Sequence, residues 1–435
     1  MSAFGTAYVY SQNSSQTITI QPASFTETAS YIIFRVGDIY YAKNGTTGEV
    51  EFSGTNASYI INQVEMKLSS NGGGLITFKS GVYSLSSPIK AYNNIILQGE
   101  SPYATIFYAE NSDMGHIICH SGYTQGSSPP FGTPTYNFTV KNIGFQANPS
   151  DPADRAIFIR AYNLTVENCV FKGFYGYAVK VAYGENINLR FNKVLGTING
   201  DGLHLLYCEN AIIESNMVFN VHDDSIANVH SNWTVISKNI VIAKGSDGLG
   251  DGIAVWGNSH HVIITDNLVK NVAHHGISVK AYESKDPSEV TIKGNRIINA
   301  CQNGIYLIST LTGNDTVRYI TIVDNTINNV QWRGIYILGA GYGKIIGNTI
   351  IDVSQASDNT YDAILLDYST DSNTYSNYWI IQGNQIYKTL TNDPRYGIFL
   401  HGKQHIVISN HVAAGETGKI QDNSSGSIVQ NNLEE

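Results

Sequence analysis

The chain has 435 residues, of which 26 are Lys or Arg and 35 are Asp or Glu, giving a net charge of −9 with only 14% of residues charged. Hydrophobic residues make up 42%, enough to bury a sizeable core, so disorder is excluded. No run of Lys or Arg exists to neutralise a phosphate backbone, and no apolar stretch approaches the ~20 residues that span a bilayer, so neither nucleic acid nor a membrane span is expected.

Residues 1–55 read as a β-rich extension, with alternation in Thr17-Ile18-Thr19-Ile20 and Tyr31-Ile32-Ile33-Phe34. The segment Met1 to Tyr10 lacks a charged region followed by an apolar one, so no classical signal peptide is expected. From Ala57 to Leu68, apolar residues at Ile60, Ile61, Val64, Met66 and Leu68 predict a short amphipathic helix, stopped by Gly72-Gly73-Gly74. Such a helix before the first coil would plug the open end of a solenoid core.

A repeat fills most of the remainder. Alternating apolar residues are followed by Asn, any residue, then Ile or Val, as in Ile263-Ile264-Thr265-Asp266-Asn267-Leu268-Val269. The series runs Asn142, Asn168, Asn192, Asn216, Asn239, Asn267, Asn295, Asn325, Asn348, Asn384 and Asn410. After each Asn comes a small residue and two alternating aliphatics, as in Gly252-Ile253-Ala254-Val255 and Gly304-Ile305-Tyr306-Leu307. These period-2 runs between Gly and Asn turns are strands. A unit of about 24 residues with two or three short strands cannot bury its own apolar face. The predicted fold is therefore all-β, a right-handed parallel β-helix over residues 56–415 with a short N-terminal capping helix, closed by a polar segment at 416–435. Stacked at the inter-strand spacing of ~4.8 Å, the Asn side chains should form a hydrogen-bonded ladder. Cys119, Cys169, Cys208 and Cys301 lack metal or disulfide spacing and are expected as free thiols.

The opening from Ala57 to Tyr108 resembles that of pectate-lyase-like and phage-tailspike β-helix proteins: capping helix, triple Gly, Ile76-Thr77-Phe78-Lys79-Ser80-Gly81-Val82-Tyr83, Ser87-Pro88-Ile89 and Ile95-Ile96-Leu97-Gln98-Gly99-Glu100. The resemblance covers roughly residues 50 to 415. It implies a polysaccharide ligand, a monomer or homotrimer, and an extracellular, virion or cell-surface location.

The residue before each small one defines a column: Arg155, Tyr177, Asp201, Asp224, Asp251, His275, Asn303, Arg333, Asp362 and Tyr396. It is expected on the outer surface, because the aliphatics that follow point inward. Asp201, Asp224 and Asp251 then occupy consecutive rungs, with Asp223 beside Asp224. Like charges one rung apart repel, so raised pKa values or a bound cation are expected. Asp before Gly is also a good turn residue, which accounts for Asp251-Gly252 better than for Asp223-Asp224-Ser225.

The column is similar to the site of glycoside hydrolase family 28, the polygalacturonases. Asn199-Gly200-Asp201-Gly202 matches that family's Asn-Thr-Asp-Gly, and His222-Asp223-Asp224-Ser225 carries its Asp-Asp one coil later. The resemblance implies an inverting glycoside hydrolase acting within a glycan chain, with Asp223 as general acid and Asp201 and Asp224 holding and deprotonating water. His275 and Lys280 complete the candidate catalytic set. Where the family has Gly-His-Gly this chain has Gly250-Asp251-Gly252, its His comes one coil later at His275, and Ser278 stands at the family's Arg. Lys280 and Lys180 remain available to an anionic sugar. Asp251, His204, Lys180, Tyr306, Trp332 and Tyr336 are the candidate substrate-binding residues, the aromatics by stacking on sugar faces.

Two other functions stay open. Asp201, Asp223, Asp224 and Asp251 form an oxygen-rich set suited to Ca²⁺, with Lys280 or His275 as base, as a polysaccharide lyase or C5-epimerase would need; hydrolysis itself requires no cofactor. The same groove would also serve a non-catalytic virion spike, adhesin or surface protein.

Overall fold

The computed structural model describes residues 29–123, 132–243, 249–281, 285–309 and 317–435. The strand expected at Thr17–Ile20 lies outside them. Each coil contributes short strands to three parallel sheets. In coil order, the first sheet continues from Gly74–Phe78 to Ile428–Gln430, the second from Gly81–Leu85 to Leu433–Glu434, and the third from Ile89–Ala91 to Gly418–Asp422.

The ends are built from the same sheets. Tyr31–Val36 pairs in parallel with Gly74–Phe78, and the antiparallel strands Ile39–Asn44 and Val50–Gly54 continue the same sheet outward. The described part of the N-terminal extension is therefore an edge of the first sheet. At the other end, residues 416–435 form one further coil, with Gly418–Asp422, Ile428–Gln430 and Leu433–Glu434 each seated on the coil before.

The expected helix, α1, spans Ala57–Ser70. Asn56 caps it by accepting from the Tyr59 amide at 3.0 Å, and the Gly73 amide closes it onto the Leu68 carbonyl at 2.8 Å. Gly72 and Gly73 take φ of +99° and +110°, which only Gly adopts without strain. The helix buries Ala57, Ile60, Ile61, Val64 and Leu68 against the first coil. Glu65 is buried with them, one oxygen accepting from the Tyr92 amide at 3.3 Å, and burial pushes its carboxyl well above the usual range.

Inside the solenoid, Ile213, Ile236, Ile264, Ile292, Ile322, Ile345 and Ile381 lie directly over one another, all fully buried. Burial of each such side chain contributes ~1.5–3 kcal/mol. The small residue opening each third-sheet strand reflects close approach of coils: a Cβ on Gly252 would sit 2.5 Å from the Gly276 carbonyl oxygen.

The Asn ladder forms from Asn192 onward and extends to Asn432. In Asn267, Oδ1 accepts from the backbone and side-chain amides of Asn239, while Nδ2 donates to Ile236, Thr265 and Asn295. Asn142 and Asn168 do not belong to it. They occupy the preceding turn position, at φ of +58° and +49°, where later coils place Phe191, Ser215, Lys238 and Asp266. The ladder position of that coil is Cys169, whose amide donates to Asn192 Oδ1 at 3.0 Å. Both positions favour Asn, one for left-handed backbone and one for a buried amide, so the residue type alone does not separate them. Asn267→Ala should strand several buried polar groups and cost at least ~2 kcal/mol. Chemical denaturation checks this, and a loss under ~0.5 kcal/mol would show the ladder to be dispensable.

The four thiols are unpaired, with Cys119, Cys169 and Cys208 buried. No described helix is long and apolar enough to cross a membrane.

Candidate active site

The third sheet carries the column in the expected register. Arg155 pairs with Tyr177, and the pairings of Leu203, Ile226, Ile253, Ile277 and Ile305 align Asp201, Asp224, Asp251, His275 and Asn303 one per coil. Its middle rungs are largely covered, however. Asp201, Asp224, Asp251 and His275 are only 5%, 5%, 1% and 6% exposed. Each side chain lies along the solenoid axis and caps the amide of the next rung. Asp201 Oδ1 accepts from the Asp224 amide at 3.1 Å, Asp224 Oδ1 from Asp251 at 2.7 Å, and Asp251 Oδ1 from His275 at 2.9 Å. Alternation within strands does not govern these residues, because they precede the strand in a turn whose amides need acceptors.

Only part of the column opens to solvent. Asp201, Asp223 and Asp224 line a cleft of about 420 Å³ with Tyr177, Lys180, His204, Tyr207 and Trp256. One oxygen from each carboxylate lies within 4.8 Å of the other two. Asp223 is the exposed member. Its carboxyl is raised by partial burial and by the Asp201 charge, and that of Asp224 is pushed well above the usual range by burial and by Asp251 and Asp201. Three hard oxygen donors also fit Ca²⁺ chemistry, but without Asp251, which is turned away.

Asp251 is engaged elsewhere: its Oδ2 accepts from Ser278 Oγ at 2.5 Å and from Lys280 Nζ at 2.6 Å. Burial alone would raise its carboxyl, but the Lys280 and His275 neighbourhood and these bonds hold it below the usual range. Thus Asp251 and Lys280, expected to bind substrate and take a proton, form an ion pair beside the cleft, its carboxylate buried and its ammonium half-buried. His275 is likewise occupied, accepting from the Asn303 amide at 3.4 Å, and burial pushes it down to about 3. Neither His275 nor Lys280 lines the cleft that holds the three acids.

His204 has a sharper role than expected. Its Nδ1 lies 2.5 Å from Asp201 Oδ2, which assigns the proton to Nδ1 and leaves a lone pair on Nε2. Burial lowers its pKa, and Nε2 is buried without a hydrogen-bond partner. Lys180 sits 4.3 Å from the Tyr177 ring centroid, and burial pushes its ammonium down to about 8.

Tyr306, Trp332 and Tyr336 form an aromatic run on the C-terminal coils, apart from the acids. Tyr306 stacks on Tyr336 at 5.4 Å and touches His275 at 4.4 Å, Trp332 stacks on Tyr361 at 5.7 Å, and the Arg333 guanidinium lies 4.3 Å over Tyr336. Tyr183 and Tyr207 are cleft residues not among the expected set. With His230 they stack at 4.9 and 4.6 Å, each at a left-handed turn with φ near +50°. Their one-coil spacing along the chain was the available signal.

The family profile described as right handed beta helix region matches residues 155–318 and 251–433. The chain belongs to this family. No curated protein sequence matches it. Among solved structures, this β-helix protein is similar to the A-module of Azotobacter vinelandii mannuronan C-5 epimerase AlgE6, at 14% identity and a TM-score of 0.60, covering 87% of this chain and 95% of that one. It is also similar to the Dettilon tailspike protein, at 12% identity and a TM-score of 0.54 with 84% and 65% covered. A third likeness is to the DFA-IIIase of Arthrobacter chlorophenolicus, at 12% and 0.52 with 76% and 91% covered. At these identities the likeness is one of fold.

Proposed function

We propose that this β-helix protein is a glycan-active enzyme that hydrolyses glycosidic bonds within a polysaccharide chain, outside the cell or on a virion or cell surface. One observation carries the proposal: three carboxylates from adjacent coils converge in one cleft with unequal proton affinities. Asp223, exposed and raised, would protonate the glycosidic oxygen. Asp201 and Asp224 would hold the attacking water, and the lone pair on His204 Nε2, with the ring oriented by Asp201 at Nδ1, would take the proton the water loses as its oxygen bonds to the anomeric carbon. The carboxylate spacing, within 4.8 Å, is tighter than the ~6.5–9.5 Å of a conventional inverting pair. Inversion therefore rests on the motif resemblance, and the anomer of the first product tests it.

A second reaction is favoured by His204 Nε2 and Lys180 in the same cleft, which are bases suited to removing the C5 proton of a uronate, with Ca²⁺ on the three carboxylates neutralising the sugar's own. Mass analysis of products from a glycan panel, with and without chelator, separates the two. Hydrolysis adds water and survives chelation. Elimination adds no water, gives an ultraviolet-absorbing unsaturated product and is lost with the cation. Binding without conversion would leave a spike or adhesin.

A further inference from the structure

On the N-terminal side of the acids the column continues through Tyr177 and Arg155 to His116. Around the last two lies a second cleft, also about 420 Å³, walled by Lys90, His116, Tyr123 and Arg155 with Asp113 and Asp154 at its rim. It is three coils from Asp201, roughly 14 Å at the ~4.8 Å spacing of strands.

Two polar atoms in this wall are buried without partners, His116 Nδ1 and Arg155 Nε. Stranding such groups is destabilising unless something else satisfies them. His116 is neutral, its pKa lowered to about 3 by burial, so one of its ring nitrogens is an acceptor. Arg155 Nε is a donor. An acceptor and a donor in one wall match hydroxyl groups, which both give and take a hydrogen bond. The two cations of the lining, Lys90 and Arg155, are matched by its two carboxylates, Asp113 and Asp154, with Arg155 paired to Asp154 at 2.9 Å and Lys90 donating to the Tyr123 carbonyl at 2.9 Å. A free anion is therefore not what the cleft lacks. Aromatic edges complete it, with His116 5.1 Å from Tyr123 and 5.0 Å from Phe158. Such surfaces suit the C–H faces of a pyranose.

We infer that the cleft of Lys90, His116, Tyr123 and Arg155 is a distal glycan subsite, taking an uncharged, hydroxyl-bearing face of a sugar unit three coils from the acid cluster. It rests on the glycan-acting proposal above. One coil rises by about the length of one sugar unit in a chain, so a glycan lying along the column reaches this subsite only when it extends several units past the acids. Occupancy of both clefts places the reacting bond inside the chain.

The test uses size-defined oligomers of galacturonan, mannuronan and β-glucan, from dimer to octamer, with the full chain. His116→Leu removes the unpartnered nitrogen and replaces it with an apolar side chain, so it should fold; Arg155→Met is the second variant. Both should lower kcat/KM on long oligomers by roughly tenfold more than on the trimer, mainly through KM. Calorimetric affinity of the unmodified protein should step up once the oligomer spans both clefts, and the step should vanish in the variants. Equal losses at every length, or none, would overturn the subsite while leaving hydrolysis standing. A length-dependent affinity step without turnover would support the subsite and sink the hydrolase. Binding of no oligomer would overturn both.

Discussion

Asp223→Asn is expected to lower kcat on the cleaved glycan by roughly 10²- to 10⁴-fold, the range for losing a general acid or base, while glycan affinity stays within a few fold. Asp223 is the exposed member of the three acids, so its amide analogue should fold normally. The amide keeps shape and hydrogen bonding but cannot deliver a proton to the leaving oxygen. Asp201→Asn should be as damaging for a different reason: it removes the charge that orients His204 and raises Asp223. In the unmodified protein activity should fall as pH rises through the elevated Asp223 pKa, because the acid form is then lost. Initial rates, product masses and a pH profile measure all three. Undiminished turnover in both variants would sink the assignment of these carboxylates.

The register of the column was readable because the repeat writes it out. Each Gly-Ile-x-Leu run fixes which residue precedes the strand, and the observed pairings place Asp201, Asp224, Asp251 and His275 on successive coils. The direction of those side chains was not readable. Strand alternation says whether Ile253 or Ala254 faces the core, but Asp251 sits in the turn, and its direction depends on the His275 amide it caps from 24 residues away. The same limit hid the difference between Asp251 and Asp224. Asp251 meets Ser278 and Lys280 of the next coil, whereas the coil after Asp224 carries Ala254 and Trp256 at those two positions, and Asp224 lines the open cleft. A contact between coils depends on residue sizes at three or four aligned positions at once. The sequence shows the alignment but not which long side chain folds back over its neighbour. Asn142 and Asn168 were shifted by one residue for a related reason, since two adjacent turn positions both accept Asn.

Adjacent rungs of the column should respond to the same substitution with opposite signs. The Asp224 carboxyl is raised by burial and by its acidic neighbours, so the stability it lends is complete below its unfolded pKa of ~3.9 and is lost as pH rises through the folded value. At neutral pH the fold carries a penalty at this residue. Asp224→Asn removes it and keeps an oxygen to accept from the Asp251 amide. The variant should gain roughly 0.5–2 kcal/mol at neutral pH, with the gain shrinking towards acid, and should lose activity. Asp251 is held below the usual range with Lys280 at 2.6 Å, so its contribution is present above the unfolded pKa and lost as pH falls through the folded one. Asp251→Asn should therefore cost roughly 1.5–3 kcal/mol at neutral pH, and the cost should shrink towards acid. Denaturant midpoints across pH for the two variants separate a strained functional carboxylate from a structural one. Equal destabilisation by both would mean that every Asp in the column is a turn cap, and the cleft would lose its strongest sign of catalytic purpose.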